Sequence, residues 1–132
     1  MDTVTVSEGT PITHPDIPGV VIYALSDLDD PIQEVVVYVP PNGEVPLHVH
    51  DYCEAIMTIL SGWSILMAPG SPFDGIRVER GKILKFPQGK PHGFLAGPEG
   101  VEFASRNRST SDSRKVGIVQ TDSTWDIRVA AA

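Results

Sequence analysis

An antiparallel β-sandwich or barrel is the fold class this sequence predicts, and three observations predict it. No long window repeats apolar residues at i, i+3, i+4 and i+7 without an interrupting Pro or Gly, so amphipathic helices are not expected. Short β-branched or aliphatic runs recur along the chain with turn clusters between them. Twelve Gly and twelve Pro are spread over the 132 residues rather than pooled. That distribution belongs to many turns between short strands, not to a disordered tract.

The elements follow in order. Residues 1–19 carry Pro11, Pro15 and Pro18, and Pro cannot donate to a sheet ladder, so this segment is expected as an extended arm or edge strand. Residues 20–132 are expected to form one barrel domain, since a chain of this length fits a single core. Strand-like runs occupy 20–25, 33–39, 55–60, 63–67, 83–86, 101–105, 116–120 and 127–130. The clusters DLDDP, PPNG, SG, APGSPFDG, PQGKP, AGPEG and STSDS separate them, each rich in the residues that turns require.

Composition narrows the function classes. The net charge of −7 argues against non-specific binding to nucleic acid or to anionic membranes. Residues 1–76 hold eleven acids and no Lys or Arg, whereas all ten basic residues lie in 77–132. Either the two halves interleave and their charges mix, or the second half builds a positive wall facing a site made by the first. Cys53 is the single cysteine, so no internal disulfide is available, which fits a reducing compartment. The first sixteen residues contain no basic residue and no apolar run of signal-peptide length, and no stretch approaches the roughly 20 apolar residues of a membrane span. The expected location is the cytoplasm, with no membrane partner.

Three of the four histidines fall in patterned places. His48 and His50 stand as H-V-H at the expected start of a strand. Side chains at i and i+2 share a strand face with Cβ atoms about 7 Å apart, close enough for two imidazoles to meet on one ion. Glu54 has the same parity, and its carboxylate reaches the same point if the backbone stays extended or turns tightly. His92 closes the stretch G-K-I-L-K-F-P-Q-G-K-P-H, in which Gly81 opens a strand and Pro87 with Gly89 makes a sharp turn. H-x-H alone is a weak signal. Both patterns, in this order with a hairpin between them, are a strong one. His14, in the Pro-rich arm, is assigned no role.

With these residues the chain resembles the cupin superfamily, whose motifs G-x5-H-x-H-x3,4-E-x6-G and G-x5-P-x-G-x2-H-x3-N span residues 43–96 here. The resemblance implies a jelly-roll barrel, or double-stranded β-helix. It also implies one divalent transition metal (Fe, Mn, Ni, Co, Cu or Zn) held by His48, His50, Glu54 and His92. Two glycine spacings depart by one residue: Gly43 is closer to His48, and Gly62 is further from Glu54, which suggests a bulge or longer turn there. The final Asn of the second motif is Ala96 in this chain.

Parity then extends the site. Tyr52 shares the even phase and is the one plausible proton donor. Ile56 and Thr58 follow Glu54 inward if no bulge intervenes, and Phe94 and Ala96 share a face with His92. Cys53, in the odd phase, points away from the metal into packing. Arg106 and Arg108 lie on one face of their run, with Ser105 and Asn107 on the other. An inward Arg106 would hold a substrate carboxylate bidentately, and an outward one would be a solvated edge charge. Three functions remain open. A metal-dependent enzyme of dioxygenase, lyase or isomerase type would act on a small oxygenated metabolite chelated at the metal. A non-catalytic barrel would bind a sugar or other small molecule. A structural metal would merely staple the barrel. A homodimer is expected, because isolated small barrels leave sheet edges that need covering.

Overall fold

The computed structural model describes residues 3, 4, 6, 8–13, 17, 19–25, 32–50, 53–109, 128 and 129. Among them are nine strands and no helix: β1 (Thr10–Ile12), β2 (Val21–Ala24), β3 (Ile32–Val39), β4 (Glu44–Val49), β5 (Cys53–Met67), β6 (Arg77–Glu79), β7 (Ile83–Phe86), β8 (His92–Ser109) and β9 (Arg128–Val129). Every pairing is antiparallel. With no helix present, none is long and apolar enough to cross a membrane. The run expected at 116–120 lies outside the described residues.

Two long strands organise the barrel. The early part of β8 pairs with β4 and with the end of β5, and its later part pairs with β3 and the start of β5. β6 and β7 close on the free edge of β5, while β1 and β2 extend the sheet beyond β3, with β1 at its edge. The runs 55–60 and 63–67, expected as separate strands, are therefore one element. The run 101–105 likewise joins the strand that begins at His92.

Both long strands bend where their glycines sit. The register shifts between Ile59 and Ser61 and again between Gly62 and Ser64. Gly62 has φ of 71° and faces Gly100, whose φ is 77°, and a Cβ on Gly62 would drive into the Gly100 carbonyl oxygen. Side chains alternate across a strand, so one extra residue exchanges the two faces. In β5 the buried phase is odd before the bend (Cys53, Ala55, Met57, Ile59) and even after it (Ser64, Leu66). In β8 it is even first (His92, Phe94, Ala96) and odd later (Val101, Phe103, Ser105, Asn107). The inward valines of β3, with Met57, Ile59, Phe94 and Phe103, form the apolar core between the layers. Each such side chain contributes about 1.5–3 kcal/mol by burial.

β4 is set by its prolines. Pro40–Gly43 form a turn closed by Gly43 N–H donating to the Pro40 carbonyl at 2.8 Å. Asn42 supplies the positive φ of 58° that a type II turn needs at its third residue. Pro46 interrupts the ladder, and the register shifts between Val45 and His48, as expected where a strand residue has no N–H. H-V-H consequently sits at the end of β4 rather than at a strand start.

Candidate metal centre

Three buried imidazoles meet at the wall of a cavity between the layers. His48 and His92 are direct cross-strand partners on β4 and β8, and His50 follows β4. All three rings are more than nine-tenths buried. One ring nitrogen from each lies within 4.8 Å of the others. Ring centroids are 4.4 Å apart for His48 and His92, 5.3 Å for His48 and His50, and 5.5 Å for His50 and His92.

The second histidine pattern acts through a turn. Pro87–Lys90 closes with Lys90 N–H donating to the Pro87 carbonyl at 3.3 Å, and Gly89 N–H donates to the His50 carbonyl at 2.9 Å. Gly89 has φ of 76°, a conformation that costs glycine nothing and other residues about 1–2 kcal/mol. This turn straps the two histidine patterns together through backbone alone. Phe86, just before it, stacks on His92 with centroids 3.9 Å apart and planes 11° from parallel.

Hydrogen bonds fix which nitrogens are available. A carbonyl oxygen can only accept, so His48 Nδ1 donates to the Pro46 carbonyl at 2.8 Å and His92 Nδ1 donates to the Lys90 carbonyl at 3.1 Å. Burial, reinforced by the neighbouring His48 and His50, holds His92 well below the ordinary histidine pKa. A neutral ring protonated at Nδ1 has its lone pair on Nε2, the state in which imidazole coordinates a metal. Nitrogens about 2.1 Å from one ion stand about 3.0–3.4 Å apart. The three nitrogens here all lie within 4.8 Å of one another, near that spacing. The donor set therefore fits a divalent transition metal.

Other expected site residues fall elsewhere. Glu54 is not a member of the histidine group. It lies between buried Cys53 and Ala55, half-buried on the opposite face of β5, in register with Arg108. Ile56, 42% exposed, and half-buried Thr58 share that outer face. The inward phase is even at His48 and His50 but odd from Cys53 onward, so parity does not carry across 51–52. Cys53 is wholly buried. Arg106 points outward, its guanidinium Nε 3.5 Å from Glu34, with both side chains more than half exposed. Phe94 lines the cavity, whereas Ala96 is buried on the same face without lining it. Tyr52 and His14 lie outside the described residues.

The cavity measures about 50 Å³ as the space open to the centre of a water-sized sphere. Besides the histidines its lining among the described residues is apolar, Ala55, Met57 and Phe103 among it, except for Ser105 and Asn107, and no described Lys or Arg takes part. The described bases of the second half thus form no positive wall here. The sequence puts Ser105 and Asn107 opposite Arg106 and leaves both orientations of Arg106 open; the structure takes the outward one. The glycine bend in AGPEG, which sets the odd phase of late β8, is the signal that decides between them.

No family model and no curated protein matches the chain. Solved structures do. An uncharacterized conserved protein with a double-stranded beta-helix domain from Klebsiella pneumoniae subsp. pneumoniae MGH 78578 superimposes with a TM-score of 0.58 at 25% identity, over 80% of this chain and 82% of that one. The polyketide cyclase RemF from Streptomyces resistomycificus gives 0.68 at 24% identity, over 84% and 82%. A predicted oxalate decarboxylase from Thermotoga maritima gives 0.65 at 20% identity, over 82% and 99%. Barrel and neighbours define a double-stranded β-helix protein. Its paired histidine motifs resemble those of the cupin superfamily, and a cupin-like protein from Thermotoga maritima shares the fold.

Proposed function

We propose that the protein is a metal-dependent enzyme acting on a small oxygenated molecule that chelates the metal, in a reaction of dioxygenase, lyase or isomerase type. The convergence of His48, His50 and His92 on one wall of a small cavity carries this reading. One ring nitrogen from each would hold one divalent ion, which when bound supplies Lewis acidity toward a carbonyl or enolate, or dioxygen activation if it is iron. The chain's own contribution is positioning. The Pro46 and Lys90 carbonyls fix two ring orientations, Phe86 backs His92, and the apolar walls exclude water and strengthen the field at the centre. The space is small, so the substrate is of the order of a few carbon atoms. The cyclase and decarboxylase named among the neighbours are consistent with chemistry on such a scaffold.

Metal-depleted protein titrated with Co(II), Mn(II), Fe(II) or Zn(II) in a calorimeter is expected to bind one ion per chain. Each of His48→Ala, His50→Ala and His92→Ala is expected to weaken binding by at least about 100-fold, beyond the usual cost of losing a supporting contact. Unchanged uptake by the triple variant would remove the centre. If the loaded protein neither turns over nor consumes oxygen with a panel of hydroxy-acids, keto-acids and catechols, the enzymatic reading fails and a binding barrel is left.

A further inference from the structure

The apolar lining of the cavity is broken at one place away from the histidines. Asn107 is 2% exposed and Ser105 7%, both line the cavity, and Asn107 Nδ2 donates to Ser105 Oγ at 3.0 Å. An Asn amide has two donor hydrogens and an acceptor oxygen, and a Ser hydroxyl can both donate and accept. This single bond uses one donor and one acceptor. What remains is the second amide hydrogen, the hydroxyl hydrogen and the amide oxygen, so donors stand beside an acceptor. If the amide is placed the other way round, the hydroxyl donates to the amide oxygen and the amide NH₂ and hydroxyl lone pair remain, again a donor beside an acceptor.

Register shows how this pair faces the histidines. Gln33, Asn107, Ala55 and Phe86 form one continuous row across β3, β8, β5 and β7, and Phe86 is the ring stacked on His92. The backbones of Phe86 and Asn107 are therefore two strand spacings apart, about 10 Å. Between them stands only the Ala55 methyl. The gap over Ala55 separates the histidine wall from the Asn107–Ser105 pair.

Resting on the metal-centre reading, we propose that Asn107 and Ser105 bind the end of the substrate remote from the metal, and that this end carries an uncharged hydroxyl. The chemistry selects that group. A hydroxyl both donates and accepts, matching a donor–acceptor pair. A second carboxylate would be buried with no cation among the described lining residues, a strongly unfavourable arrangement, since Arg106 faces outward. A methyl would leave both polar groups buried without partners. The substrate class is a short hydroxylated acid or ketone, with oxygens at one end for the metal and an alcohol two or three carbons away.

Three probes share one chelating end and differ only at the other: 2,4-dihydroxybutanoate (hydroxyl), 2-hydroxypentanoate (methyl) and malate (carboxylate). Calorimetry on the Co(II)-loaded protein is expected to rank the dihydroxy-acid about 10- to 100-fold tighter than the methyl analogue, with malate no tighter than the methyl compound. Asn107→Leu and Ser105→Ala are each expected to collapse the hydroxyl preference to within about threefold while Co(II) affinity stays as in the wild type. Ser105→Ala changes almost no volume, so it reads out the preference even if Asn107→Leu folds poorly. Cobalt binding with no preference for the hydroxyl, or a preference that survives both substitutions, overturns this inference alone. Failure of cobalt to bind the wild type overturns the metal centre and this inference with it.

Discussion

Replacing Gly62 by alanine tests whether the bend joining the two layers is built on backbone contact. Gly62 holds φ at 71°, where an L-residue costs about 1–2 kcal/mol. Its added Cβ would meet the Gly100 carbonyl oxygen, with the Gly100 carbonyl carbon 3.0 Å and Val101 Cα 3.2 Å away. These are backbone atoms and cannot rotate aside. Relieving the overlap means displacing the paired strand, which as overpacking adds about 1–3 kcal/mol, for a total of about 2–5 kcal/mol. Gly70 is the matched control: its φ is 84°, yet a Cβ there meets nothing within 4 Å, so Gly70→Ala bears the backbone cost alone. Part of that is offset by about 0.4–1 kcal/mol from a stiffer unfolded chain. Urea unfolding of the two variants should then differ by the overpacking cost, about 1–3 kcal/mol, a sizeable share of the 5–15 kcal/mol of a domain. Two alanine variants that unfold within about 0.5 kcal/mol of each other would refute the close-approach argument.

Two substitutions near the centre separate residues that belong to it from those that do not. Glu54→Gln is expected to leave the metal dissociation constant within about twofold of wild type by calorimetry, because the carboxylate lies on the outer face; a loss like that of a histidine variant would restore Glu54 as a ligand. Phe86→Leu removes the ring stacked 3.9 Å from His92. It is expected to cost about 0.5–1.5 kcal/mol in urea unfolding for the aromatic pair and to weaken metal binding by up to about tenfold. An unchanged metal affinity would show that Phe86 does not orient the ring.

The parts of this molecule that could be read from sequence are those encoded within a few residues. Gly89 and Pro87 dictate a turn by their own backbone preferences, so the approach of His92 was legible. H-V-H was legible because an i, i+2 pair shares a face wherever it falls. Glu54, Ile56 and Thr58 were not, because their assignment needed a strand phase to survive residues 51–52, and one change of phase reverses every later side chain. Arg106 shows the same difficulty in β8. AGPEG reads as a turn between strands, yet it is a bend inside a single strand: Gly100 takes a positive φ and Gly97 carries no Cβ against the Trp63 ring. Whether such glycines end a strand or bend it is decided by the partner that crosses there, and local sequence does not contain that partner.

One device is used twice at the centre, and it has a spectroscopic consequence. In both His48 and His92 the ring Nδ1 donates to the carbonyl two residues earlier, Pro46 and Lys90 respectively. The two carbonyls are oriented by different means, a proline bulge in β4 and a glycine turn after β7, yet each leaves Nε2 as the bare nitrogen. Rings held in this way have already lost their rotational freedom before any ion arrives, so binding does not bear that cost again. The metal-free protein should accordingly show both rings carrying a proton on Nδ1, the minority position in a free neutral imidazole. Long-range ¹H–¹⁵N correlation spectra of ¹⁵N-labelled protein distinguish the tautomers by the shifts of the two ring nitrogens. Assignment of His48→Ala and His92→Ala spectra identifies which signals belong to which ring. Nε2–H signals for either residue would mean that its carbonyl contact does not select the ligating nitrogen, and that the centre is shaped by the ion rather than by the fold.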